Sequence, residues 1–421
     1  MRLCVNLEMH LNPLLPLPPL EEQHRRRVFW ECYSIDRYSS STLGRPFAIA
    51  DEDIGVNLPA ALSDEDVVVR DRGHLDDATA SSVTLSATSE RNSMSVFISY
   101  TRLRQITSRI HDAFFSGAPK PYSKGSTPPS GHDLTIVGRV CTKLQTLLDE
   151  LQAWRQQAPT YSQAYSLYQR EQWYDFLLEK ERLTLVRGAM NSLPSQAGRQ
   201  RRLVQLCGEY ASRIIQLYAE MFSRSEINTT RGYFQTLFSA GLSQAYCLSS
   251  GLKRTGVSVA SPGEEGKVLR TCSELLWKMS ETMLDARPYA VTFDFIQQSL
   301  SNEMQLQPQE STQSAEIALH STHASASEAS YIPMDPLLGA STSSFQNISQ
   351  HGPNEVHSDL QVPQNWYTWD PSMQMLMANM EADVNRFAFD TFSMDPAFEF
   401  EQLESMDNTF PYDWQWPSGP T

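Results

Sequence analysis

The chain is 421 residues long, with 34 basic and 49 acidic side chains and a net charge of −15, long enough for one large domain with a tail or for two or three domains with sizeable cores. Residues 301–421 hold one of the basic side chains, Arg386, and seventeen of the acidic ones, which leaves 33 and 32 for residues 1–300, a balance near +1. A near-neutral body and a strongly acidic tail lack the basic footprint of a nucleic-acid binder and argue against direct DNA contact by this chain.

The first apolar stretch is broken by Asn6, Glu8, His10 and several prolines, so it reads as no secretory address. Next comes Arg25-Arg26-Arg27-Val28-Phe29-Trp30, followed by Tyr33, Asp36 and Arg37. The spacing predicts a helix with Phe29, Trp30, Tyr33 and Arg37 on one face and Arg27 four residues before Glu31. Gly44, Arg45 and Pro46 predict its stop, because glycine tolerates positive φ and proline cannot continue a helix. Asp36 and Arg45 either pair across that turn or both face water. Residues 25–27 and 198–202 concentrate positive charge and read as helix starts with a solvated basic face, or else as import or phosphate patches.

Farther along, the Asp/Ser-rich residues 62–90 and the Gly/Pro/Ser/Lys stretch 116–131 predict loops. Between and after them, apolar residues recur at steps of three and four. One run is Leu103, Ile106, Ile110 and Phe114; the next is Leu134, Val137, Cys141, Leu144, Leu148, Leu151 and Trp154, ended by Pro159. Leu203, Leu206, Tyr210, Ile214, Leu217 and Met221 follow, then Val268, Cys272, Leu275 and Met279. The 134–154 run has the spacing of a helix–helix seam, read as intramolecular, with pairing to a partner chain as the alternative. Residues 232–252 are uncharged but carry Gln235, Thr236, Ser239, Ser243 and Gln244, which suits a buried helix better than a membrane span. The fold expected is all-α.

Six cysteines, at 4, 32, 141, 207, 247 and 272, are never closer than 25 positions. No CxxC pair forms, and Cys141, Cys207 and Cys272 fall on apolar stripes, so reduced core thiols in a soluble intracellular protein are expected. Gly241-Leu242-Ser243-Gln244-Ala245 is only loosely a nucleophile elbow, because it lies within a helical pattern. There is no Walker loop, GxGxxG or HExxH, and His320 and His323 have no arranged metal partners. No catalytic, metal or cofactor site is expected. Trp173, Phe176 and Phe234 line either a small inducer pocket or plain core.

Residues 301–360, rich in Ser, Gln, His and Pro, predict a disordered linker. Residues 361–421 mix acid with aromatics: Trp366, Trp369, Phe387, Phe389, Phe392, Phe398, Phe400, Trp414 and Trp416. Carboxylate repulsion opposes collapse there and leaves rings free to dock in a coactivator groove, the pattern of an acidic activation segment. The alternative is a terminal strap that packs its rings back onto the body.

The run RRRVFWECYSIDRYSSSTLGRPFAIADEDIGVNLP resembles the signature of the fungal-specific transcription factor domain, or middle homology region, of the fungal binuclear zinc-cluster transcription factors. Arg27, Phe29, Trp30, Tyr33, Asp36, Arg37, Gly44, Arg45, Pro46 and Pro59 carry the match, as structural positions. FSAGLSQAYCL at 238–248 and, with Gly188 where relatives often carry proline, YDFLLEKERLTLVRG at 174–188 look similar to the same family. The resemblance implies a helical regulatory domain over residues 1–300 and a nuclear role in RNA polymerase II transcription. MRLCVNLEMHLN looks like the end of a helix that precedes the signature in relatives, so the domain is expected to lack its beginning and the zinc cluster before it. Zinc would belong only to that missing module. DNA contact would then come from it or from a homo- or hetero-oligomer with a full-length zinc-cluster factor. A helical scaffold or ligand-binding protein without transcriptional activity is the alternative.

Overall fold

The computed structural model describes residues 1–63, 66–68, 93–115, 131–193, 197–255, 262–302 and 371–390. The described residues are helices joined by turns and short 3₁₀ segments, with no strand among them. The helices are α1 (Arg2–Asn6), α2 (Pro19–Leu43), α3 (Ser93–Phe114), α4 (Gly131–Gln157) and α5 (Glu171–Ser192). After them come α6 (Ala197–Ser223), α7 (Arg231–Thr255), α8 (Pro262–Ser280), α9 (287–302) and α10 (Pro371–Asp390).

Helix α2 begins at Pro19, six residues before the arginine run expected to open it. Proline suits a first helical position, where its missing N–H has no intrahelical partner, and Glu21 and Glu22 complement the positive end of the helix dipole. The three arginines therefore sit inside the helix and are spoken for. Arg25 donates to the Leu7 carbonyl at 2.8 Å, Arg26 pairs with Glu22, and Arg27 donates to the Leu62 carbonyl at 3.2 Å. The stop falls at Gly44, left-handed at φ 62°, as expected from its missing Cβ.

Consecutive helices pack on one another: α2 on α3, α3 on α4, α4 on α5, α5 on α6, α6 on α7 and α7 on α8. From α5 to α8 the connections are short, which makes amphipathic neighbours meet. One core runs from α3 through α9 and includes the predicted stripes on α6 and α8; a second, smaller one gathers Cys4, Phe29, Trp30, Tyr33 and Val56. The 134–154 seam is intramolecular, facing α3 and α5, with the Trp154 indole donating to the Ser99 carbonyl at 2.8 Å.

Two expectations need correction here. Cys141 is exposed, because the buried seam of α4 runs through Val137, Leu144, Leu147, Leu151 and Trp154 and leaves that flank uncovered. Helix α9 also continues past residue 300 to residue 302. Nearly all of the predicted loops 62–90 and 116–131, together with His320 and His323, lie outside the described residues.

Helix α7 is buried along Phe234, Leu237, Phe238, Ala240 and Ala245. Gly241 lets it approach its neighbours, since a Cβ there would stand 2.5 Å from the Phe293 ring and 2.8 Å from Cys272 Sγ. No described helix is long and apolar enough to cross a membrane. Ser243 lies mid-helix and donates to the Ser239 carbonyl at 2.8 Å, so the strand-to-helix turn of a nucleophile elbow is not formed. Trp173, Phe176 and Phe234 are all buried members of the main core.

Candidate functional site

Two constellations stand out, one around the signature helix α2 and one beneath α10. In the first, the predicted face of α2 is buried, with Phe29, Tyr33 and Arg37 fully so. The segment after Gly44 returns along it. The Trp30 indole donates to the Asn57 carbonyl at 2.9 Å, the Tyr33 hydroxyl donates to Asp51 at 2.8 Å, and Gln23 accepts from the Ala60 N–H at 2.8 Å. Pro59 is buried beside this seam, while Gly44, Arg45 and Pro46 are exposed at the turn.

Arg37 is the hub. Its guanidinium reaches Asp36 and Asp51, each at 2.7 Å, the Ile49 carbonyl at 2.7 Å and the Ser108 hydroxyl of α3 at 3.2 Å. It lies between the rings of Tyr33 and Phe47, 4.2 Å from each centroid. Burial acts to lower its pKa, but the neighbouring Tyr33, Asp51 and Asp36 outweigh that and hold it above the ordinary arginine value. The candidate Asp36–Arg45 pair is thus replaced: Asp36 binds Arg37 and accepts from the Ala48 N–H, and Arg45 faces solvent. The adjacent residue won because Arg37 already points into the joint that Asp36 closes.

The second constellation involves the tail, for which a free activation segment was expected and a terminal strap was the alternative. Helix α10 packs against α7 and α2, burying Met380, Val384 and Phe387 at helical spacing. Phe387 meets the rings of Phe234 and Tyr289 at 5.7 and 5.5 Å, with the Arg231 guanidinium 4.4 Å above it. Gln235 donates to Asn385 at 2.8 Å. Glu381 receives two bonds from Arg187 on α5, one of them at 2.6 Å, and a third from Ser239. Burial acts to raise the Glu381 pKa, but the Arg187 charge and the donated hydrogen bonds hold it below the usual glutamate range.

Phe387 is therefore a strap residue, corrected from the exposed set. The side chain of Phe389 and all of Trp366, Trp369, Phe392, Phe398, Phe400, Trp414 and Trp416 lie outside the described residues. Arg187, Met380, Glu381, Val384 and Asn385 were missed as functional positions. A local clue was present, with Asp370-Pro371 as a helix start and Met380, Val384 and Phe387 at steps of four and three.

Residues 1–156 match the family described as the fungal specific transcription factor domain. Over those residues the chain is similar to that domain. Within this domain lie the Arg37 hub, the signature helix and the α2–α3 joint. Curated relatives are fungal regulators. The negative regulator of pleiotropic drug resistance STB5 of Candida glabrata is 42% identical over 67 residues, 15% of this chain and 7% of that protein. A positive regulator of purine utilization from Emericella nidulans is 27% identical over 131 residues, 31% of this chain and 11% of that protein. The ABC-transporter-regulating transcription factor of Aspergillus fumigatus is 26% identical over 135 residues, 32% of this chain and 13% of that protein. The matches thus span a small fraction of each relative's length. No solved structure matches the chain.

The binuclear zinc cluster of the family does not fit the cysteines present. Cys4 and Cys32 belong to the small core, Cys207, Cys247 and Cys272 to the large one, and Cys141 stands exposed on α4. Among the described residues no three His, Cys, Asp or Glu side chains converge on a metal position.

Proposed function

We propose that this chain is a nuclear regulator of RNA polymerase II transcription in which the fungal transcription factor domain and its following helices gate an acidic, aromatic segment at residues 361–421. The segment recruits coactivators when its rings are free, and docking of α10 holds part of it against the body. DNA contact is supplied by a zinc-cluster segment or by a partner, in a homo- or hetero-oligomer with a full-length zinc-cluster factor. The observation that carries the reading is the burial of Phe387 against Phe234 and Tyr289, in a segment that otherwise combines carboxylates with aromatics in the manner of groove-binding activators.

The test fuses residues 361–421, and separately the whole chain, to a heterologous DNA-binding domain over a reporter. The reading expects strong activation from the short fusion and weaker activation from the long one. A silent short fusion would overturn it in favour of a helical scaffold that binds proteins or metabolites without activating transcription.

A further inference from the structure

Two pairs of thiols are brought together by the fold. Cys4 and Cys32 meet in the small core, where burial, followed by the contact with Cys4, pushes the Cys32 thiol up to about 11. Cys247 on α7 packs against the turn of α6 from Val204 to Gly208 that carries Cys207. A Cβ on Gly208 would stand 3.4 Å from Cys247 Cβ and 3.7 Å from its Sγ, so the missing side chain brings the two backbones together. The Cys247 thiol faces both the Val204 carbonyl, at 3.2 Å, and the Cys207 sulfur. Cys207 is buried, and Cys247 is half-buried and gives the pair its side toward solvent.

We propose that Cys207 and Cys247 form a peroxide-oxidisable dithiol, a modification site that cross-links α6 to α7. The chemistry balances with hydrogen peroxide as the two-electron oxidant. A thiolate sulfur of the pair attacks one peroxide oxygen, the S–O bond forms, the O–O bond breaks and the departing hydroxide takes a proton to become water. The second sulfur then displaces the sulfenic oxygen, so the S–S bond forms and a second water leaves; two thiols are oxidised and one peroxide is reduced.

The surroundings favour the thiolate that this needs. The neighbouring Cys247 thiol does most to lower the Cys207 pKa, against burial, with the Arg187 guanidinium and the Ser243 hydroxyl adding to it. Glu381, held on the far side of Arg187, opposes the ionisation. At Cys32, by contrast, burial, the contact with Cys4 and the charge of Glu31 disfavour a thiolate, against the N-terminal ammonium. The preference expected for Cys207 and Cys247 follows from the Arg187 guanidinium beside Cys207 and from the packing of Cys247 against its turn.

The experiment treats the purified full chain with hydrogen peroxide, blocks residual thiols with iodoacetamide, and maps disulfide-linked peptides by mass spectrometry. The expected result is a Cys207–Cys247 link that accumulates at least tenfold faster than any Cys4–Cys32 link and disappears on reduction. Cys247→Ser, which changes the half-buried member, is expected to abolish the link and leave Cys207 as a sulfenic acid captured by dimedone. If Cys247→Ser does not fold, the wild-type kinetics alone decide. A chain whose Cys207 and Cys247 stay alkylatable, or one in which the two pairs oxidise at equal rates, would overturn the assignment.

Discussion

Arg187 and Glu381 stand 194 residues apart in the chain and meet in a two-pronged ion pair that joins α5 to α10. Their side chains keep 35% and 20% of their exposure, so the pair lies between the surface and buried limits. Glu381→Ala is expected to weaken docking of α10 by about 1–3 kcal/mol. Hydrogen exchange of residues 378–387 reads it, with protection lost there and retained in α7.

The same pair gives docking a pH dependence of known sign. Because the folded-state pKa of Glu381 is lowered, its contribution is present above the unfolded value and is lost as pH falls through the lowered folded one. Protection of α10 is therefore expected to fall at acid pH below the ordinary glutamate range. Glu381→Gln should show little further loss over that window, which assigns the titration to this carboxyl.

Arg37 and Arg45 flank the same turn and should respond oppositely. Arg37→Ala removes the fully buried cation shared by Asp36 and the partly exposed Asp51 and is expected to cost about 3 kcal/mol. Arg45→Glu changes an exposed side chain and is expected to stay within about 0.5 kcal/mol of wild type. Urea denaturation of the two variants compares them directly.

Arg104 and Glu181 form a buried ion pair between α3 and α5 at 3.1 Å, with 1% and 3% of their side chains exposed. Removing one charge strands the other. Arg104→Met or Glu181→Leu alone is expected to destabilise by about 3–5 kcal/mol, while the double variant recovers most of that loss. A double-mutant cycle by thermal unfolding gives the coupling.

Gly241→Ala tests the close approach of α7 to α8 and α9. The added methyl would overlap the buried Phe293 ring and the Cys272 sulfur, and a filled core has no room to yield. A loss of about 1–3 kcal/mol is expected from overpacking, read as a lowered Tm.

Local periodicity made most of the helices legible. The faces of Phe29, Trp30 and Tyr33, of Leu103 to Ile110 and of Ile214 to Met221 repeat every three or four residues and are buried as that repeat requires. The Gly44 stop was equally local, since only the turn chemistry of one residue is involved. The partner of Asp36 was less accessible, because Arg37 and Arg45 are both within reach and only the burial of Arg37 decides between them. Cys141 was misplaced for a related reason: a three-four stripe is wider than the strip a neighbouring helix covers.

By itself the sequence determined that the described residues are helical and that the C-terminal segment is acidic and aromatic in composition, because composition and helical repeat are properties of neighbouring residues. The tertiary structure decided which carboxylate meets which arginine, that Cys247 packs against the turn of α6 that holds Cys207, and that Phe387 is buried against Phe234 and Tyr289 instead of exposed. Those contacts join residues far apart along the chain, and their identity depends on which helix faces come together once the local stripes are buried.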